Sequence, residues 1–159
     1  MNCADCISQL CYQGNGCSQA YDFSDYVNTS IDEYTSSENN KIMNISSNVE
    51  ATSYMKLTRL EEIIKFAQQM GYKRIGIAHC IGLIKEAKLL KGVLEKTFAV
   101  NSICCKFSGI DKKQMQLLQI DDHRYEAICN PIGQAMVLND LQTDMNIIVG
   151  LCVGHDMLF

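Results

Sequence analysis

Basic charge is scarce in this chain. Three arginines (Arg59, Arg74, Arg124) and a net charge of -4 leave no footprint suited to gripping phosphates, so nucleic acid is not an expected partner. No apolar run approaches the roughly 18 residues of a membrane-spanning helix. The N-terminus, MNCADCISQLCYQG, has neither the basic region nor the apolar stretch of a signal peptide. No membrane association is expected, and the expected location is the cytoplasm. Nucleotide and hydrolase signatures are missing as well: there is no G-x-G-x-x-G, no G-x-x-x-x-G-K-[ST] and no G-x-S-x-G.

Cysteine, by contrast, is abundant. Nine occur in 159 residues, an odd number that leaves one unpaired even under full oxidation. In a reducing compartment thiols at this density serve as metal ligands or reactive groups more readily than as disulfides. They fall into two sets. Cys3, Cys6, Cys11 and Cys17 crowd the first seventeen residues with spacing C-x2-C-x4-C-x5-C. Such a short loop can wrap an ion or a cluster without help from the rest of the fold, so this set is expected to bind zinc or an iron-sulfur cluster. Cys80, Cys104, Cys105, Cys129 and Cys152 are spread through the remaining chain.

The pattern of the chain suggests where that second set lies. Residues 1–20 form a cysteine-rich head and 21–55 a polar, partly helical connector, while 56–159 carry an α/β domain. Within that domain Thr58 and Glu61 make a capping box. Leu60, Ile63, Ile64 and Ala67 then form a helical stripe that stops at Gly71. RIGIAHC reads as a strand followed by the helix IGLIKEAKLLKGVLEKT, and FAVNSICCKF as a second strand. Asp111 caps a short helical piece, Asn130-Pro131 opens another helix, and MNIIVGLCVG is a strand apolar enough to be covered on both faces. Alternating strands and helices predict an α/β fold, a three-layer Rossmann-like parallel sheet of about three strands with the Cys-rich metal-binding head in front. Three strands make a small sheet, and the chain ends where a further helix would begin. A missing C-terminal strand, or one lent by a partner in a homo-oligomer, is the corresponding expectation.

In open parallel sheets the ligand crevice lies beyond the carboxyl ends of the strands. Cys80 ends the first strand, Cys104 and Cys105 the second and Cys152 the third, and Cys129 joins them if the piece at 111–118 returns the chain to that edge. Adjacent cysteines on a strand face opposite ways, so only one of Cys104 and Cys105 can serve a given side. His155 and Asp156 follow Cys152 in the same loop, the imidazole as base or ligand and the carboxylate as its orienter. The pocket candidates are therefore Cys80, Cys104, Cys105, Cys129, Cys152, His155 and Asp156. Against this stands the ordinary behaviour of cysteine as a small buried hydrophobe, of Asp156 as a helix cap and of His79 as a satisfied core histidine.

The chain resembles a family of uncharacterised cysteine-rich bacterial and archaeal proteins described as predicted metal-binding proteins, a domain of unknown function. The resemblance is carried by the C-x2-C-x4-C head, by VEATSYMKLTRLEEIIKFAQQMGYKRIGIAHCIGL, by Cys104-Cys105-Lys106 and by CNPIGQAMVLNDLQTDMNIIVGLCVGHDMLF. It implies metal binding and no particular reaction, and members of the family run on beyond the segment matching Gly154-His155-Asp156. Two readings stand side by side. In one, an enzyme or redox carrier holds zinc or an iron-sulfur cluster in the head and uses the pocket thiols for a second metal, a small-molecule ligand or thiol chemistry. In the other, a non-catalytic binding or sensing module has a structural zinc head and inert buried cysteines.

Overall fold

The structure, a computed structural model, describes residues 2–17 and 22–159. The expected head and connector therefore each include positions outside the described residues. The chain divides into two compact units, Met1–Ser47 and Asn48–Phe159.

In the first unit, short 3-10 turns at Cys3–Asp5 and Leu10–Gln13 precede helix α1, Ser24–Thr35. Asp22 starts that helix: its Oδ1 accepts from the Ser24 backbone N–H at 2.9 Å and from the Ser24 hydroxyl at 2.6 Å, which satisfies a donor that the first turn leaves free. The helix stops at Ser36, whose backbone is extended, and helix α2, Ser37–Ser53, follows and carries the chain past Ser47 into the second unit. Asn39 and Asn40 reach back across the break to the carbonyls of Glu33 and Tyr34, at 3.0 and 3.3 Å. The polar connector is thus mostly helix, its amide side chains serving backbone groups that would otherwise be exposed.

The second unit contains the sheet. Helix α3, Arg59–Met70, begins with the anticipated reciprocal cap between Thr58 and Glu61 and ends at Gly71. Strand β1, Arg74–His79, leads through a 3-10 turn at Ile81–Leu83 into helix α4, Ile84–Leu94. Strand β2, Ala99–Cys104, is followed by a 3-10 turn at Lys112–Met115, helix α5, Pro131–Asp140, and strand β3, Met145–Val149. All pairings are parallel and the strand order is β2-β1-β3, with Ile77 opposite Ser102 on one side and Ile147 on the other. This is an α/β fold around a three-stranded parallel sheet.

Alternation along β1 distributes the contacts. Ile75 and Ile77, both fully buried, join Ala67 of α3, Ala87 and Leu94 of α4 and Phe98 in one apolar cluster. Gly76, the alternate residue, sits between α5 and the neighbouring strand: a Cβ there would lie 3.0 Å from the Leu138 side chain of α5 and 2.0 Å from Asn146 Oδ1, so a larger residue would have to displace these side chains. Burying side chains such as Ile75, Ile77 and Leu94 is worth about 1.5–3 kcal/mol each, which makes this cluster the main support of the sheet. Among the described residues no helix is long and apolar enough to cross a membrane.

Candidate functional site

Three backbone hydrogen bonds lace the carboxyl edge of the sheet. Cys80 N–H donates to Val149 O at 3.1 Å, Cys105 N–H to His79 O at 2.8 Å and Asn130 N–H to Cys105 O at 2.8 Å. The last of these answers the question that the sequence left conditional. Between β2 and α5 the chain leaves the edge and returns to it as a narrow antiparallel excursion. Ile128 N–H donates to Ile110 O, Asp111 and Ala127 form a bridge, and Lys112 pairs with Glu126 at 2.6 Å. Asn130 then caps α5 by accepting from Gly133 N–H at 2.9 Å. Cys129 is therefore delivered to the same edge, next to the positive end of a helix dipole.

The edge surrounds a tightly closed pocket lined by Cys80, Cys105, Cys129, Cys152, His155, Pro131, Gln134 and Leu151. Strand order reverses about β1, and a crevice of this kind is where open parallel sheets bind ligands. Cys152 lies three residues past the end of β3. Gly150 turns the chain there with φ +59, a conformation L side chains rarely adopt, and its missing Cβ would sit 2.1 Å from Leu83 Cδ1. His155 closes the turn by donating its backbone N–H to Cys152 O at 2.9 Å.

The thiols touch one another in sequence around the cavity: Cys105 is within hydrogen-bond reach of Cys129, and Cys152 of both Cys129 and Cys80. Cys129 Sγ, Cys152 Sγ and a His155 ring nitrogen all lie within 4.8 Å of one another. Among the described residues this is the group of three or more metal-competent side chains drawn so close, and its sulfur and imidazole donors suit zinc, iron or copper rather than magnesium or calcium. Backbone N–H groups point at two further sulfurs, Ile81 at Cys105 Sγ and Gly82 at Cys80 Sγ, each at 3.4 Å. Burial pushes the Cys105 thiol up to about 12, with its thiol neighbours Cys129 and Cys104 adding to the effect and the Ile81 N–H opposing it. Cys152 is raised too, by desolvation first and by Cys129 and Cys80 next.

Two pocket candidates stand apart from the cavity lining. Cys104 is the last residue of β2, and its sulfur accepts from Lys106 N–H at 3.5 Å, while its neighbour Cys105 is the one turned to the cavity. Asp156 accepts from Met157 N–H at 3.1 Å at the start of a terminal 3-10 turn. His79 is buried, its Nδ1 lying 3.0 Å from Cys80 O, as a core histidine would be. In the head, Cys3, Cys11 and Cys17 are exposed and Cys6 is half-buried. These four do not form a group as close as that of Cys129, Cys152 and His155.

Sequence reasoning missed Gln134. This residue of α5 is wholly buried against the cavity, its Nε2 donating to Ile103 O at 2.7 Å and to His79 O at 3.3 Å. Its position three residues after Pro131 on the inner face of the helix was a signal available in the sequence, but glutamine carries no chemistry that spacing alone would flag.

No solved structure matches the chain. The uncharacterized protein MJ0455 of Methanocaldococcus jannaschii is 53% identical over 159 residues, which is all of this chain and 80% of that relative. A family model described as a protein of unknown function, DUF1847, matches residues 18–159, a span that includes every cysteine of the cavity and begins after the head's Cys17. With most of its length matched and a relative at this identity, the chain belongs to the DUF1847 family of proteins of unknown function.

Proposed function

We propose that this chain is a metal-binding protein whose centre lies beyond the carboxyl edge of the sheet, with Cys129, Cys152 and His155 as ligands and Cys80 and Cys105 as the surrounding thiols. The observation that carries this reading is the approach of three ligand atoms to within 4.8 Å from segments separated by all of α5 and β3. A fold has little other reason to bring two thiols and an imidazole together, since the neighbouring thiol adds to the burial that disfavours ionisation of Cys152. Two cysteines and one histidine are a donor set of zinc centres, and the two further thiols leave room for an iron-sulfur alternative. Cys105, fully buried and with ionisation suppressed, fits the shell of such a centre better than it fits a nucleophile.

The head is a second candidate centre, holding zinc or an iron-sulfur cluster through Cys3, Cys6, Cys11 and Cys17, and it rests on spacing alone. Metal analysis and visible spectra of anaerobically purified protein test both centres, because a cluster absorbs visible light and zinc does not. We expect Cys129→Ser with Cys152→Ser to abolish one equivalent of metal, and Cys3→Ser with Cys6→Ser to abolish another. Wild-type protein that takes up neither zinc nor iron and sulfide, or a Cys129/Cys152 variant with undiminished metal content, would sink the cavity centre.

A further inference from the structure

One buried atom beside the proposed centre has no partner. Gln134 Oε1 is buried and accepts no hydrogen bond, although the residue lines the same cavity as Cys129, Cys152 and His155. The orientation of the amide is determined by its other end. Nε2 faces two carbonyl oxygens, those of Ile103 and His79, and turning the group over would set Oε1 against both. The lone acceptor is therefore a property of the fold. The cavity thiols do not supply the donor, since none hydrogen-bonds to Oε1. A buried carbonyl without a donor is costly, and native proteins keep few of them except where a ligand completes the bond.

Resting on the metal reading above, we infer that Gln134 is a binding residue for an exchangeable protic ligand, water or a substrate hydroxyl, that occupies an open fourth position at Cys129, Cys152 and His155 and donates to Oε1. Three protein ligands with a fourth position left to water or substrate distinguish catalytic zinc sites from closed structural ones. Cys80 is the competing fourth ligand: it is within hydrogen-bond reach of Cys152 but stands outside the 4.8 Å group. A closed centre completed by Cys80 would also leave Gln134 Oε1 without a donor.

The test uses cobalt(II) as a spectroscopic probe in full-length protein carrying Cys3→Ser and Cys6→Ser, so that absorbance reports the cavity alone. Azide, an anion that binds metals but donates no hydrogen bond, is then titrated in. We expect thiolate-to-cobalt absorption that disappears with Cys129→Ser, and cobalt bands that shift as azide replaces the protic ligand. In Gln134→Leu the displaced ligand has lost its acceptor, so azide should bind about tenfold more tightly at unchanged cobalt stoichiometry. If that variant fails to fold, Gln134→Met decides: it keeps the length of the side chain and offers no carbonyl to the protic ligand, so azide should again bind about tenfold more tightly. Bands indifferent to azide in the otherwise wild-type cavity, or azide affinity unchanged in the folded Gln134 variant, overturn this inference and leave the metal reading standing. Failure of cobalt to give any absorption dependent on Cys129 overturns both.

Discussion

At the scale of single residues, burial and backbone geometry decide what each cavity group can do. Burial, with neighbouring thiols adding to it, pushes the Cys105 pKa well above the ordinary thiol value, so at pH 8 this thiol stays protonated and is a poor nucleophile. In folded, metal-free protein we therefore expect Cys105 to resist iodoacetamide at that pH while the exposed Cys3 and Cys11 are alkylated, as peptide mass spectrometry would show. Prompt alkylation of Cys105 without denaturant would refute its placement. Gly150 offers a second check. With φ +59 and no room for a Cβ against Leu83, Gly150→Ala should cost roughly 1–3 kcal/mol, read as a lowered denaturation midpoint. Because this glycine steers Leu151 and Cys152 to the cavity, metal affinity should fall with it. A variant with unaltered stability would mean that the turn does not hold the site. Of the two neighbouring cysteines, Cys104 ends β2 and Cys105, one residue past the strand, is the one that lines the cavity.

At the scale of elements, the sheet is held at both ends by hydrogen bonds from outside the strands. The carboxyl end is laced through Cys80, Cys105 and Asn130. At the amino end Asp144 Oδ2 accepts from Lys73 and Arg74 N–H at 2.7 and 2.8 Å, tying the start of β3 to the start of β1. Those two N–H groups hold the Asp144 carboxyl below its ordinary value by favouring the charged form. A carboxylate with a depressed folded pKa stabilises the protein above about pH 4 and loses that contribution as pH falls through the folded value. Asp144→Asn should thus be less stable than wild type near neutrality, and the gap in denaturation midpoint should close on acidification toward about pH 3. A gap independent of pH would exclude this role. Helices were largely legible from sequence where end signals were explicit: Thr58 with Glu61, Gly71, and Asn130 with Pro131 all mark real boundaries. The segment 24–53 was less legible, because its apolar spacing is weak and its helices lean on side-chain amides that satisfy backbone carbonyls. Within the excursion from 110 to 128 the Asp111 cap and a helical turn were legible, but the antiparallel return was not, since the Asp111–Ala127 bridge and the Lys112–Glu126 pair impose no period on the sequence.

At the scale of the whole molecule, a metal that binds the folded state and not the unfolded chain must stabilise it by mass action. At about 100 times its dissociation constant, zinc would contribute about 2.7 kcal/mol, a rise of several degrees in melting temperature. Chelation should reverse the rise, and Cys129→Ser with Cys152→Ser in a chain lacking the head cysteines should abolish it. A melting temperature indifferent to zinc in the intact chain would count against either centre. The sequence by itself determined the α/β class, the order of the strands along the chain and the abundance of thiols, because periodicity, caps and turn residues are local and a single chain displays them directly. Only the tertiary structure decided which thiols meet. Cys129 joins Cys152 and His155 because a non-local hydrogen bond from Asn130 to Cys105 returns the chain to the sheet edge, and β3 pairs beside β1 rather than beside β2. Likewise, only packing shows that Gln134 is buried with a free acceptor: burial and unmet hydrogen bonding belong to the assembled neighbourhood of a residue, and no spacing of letters encodes them.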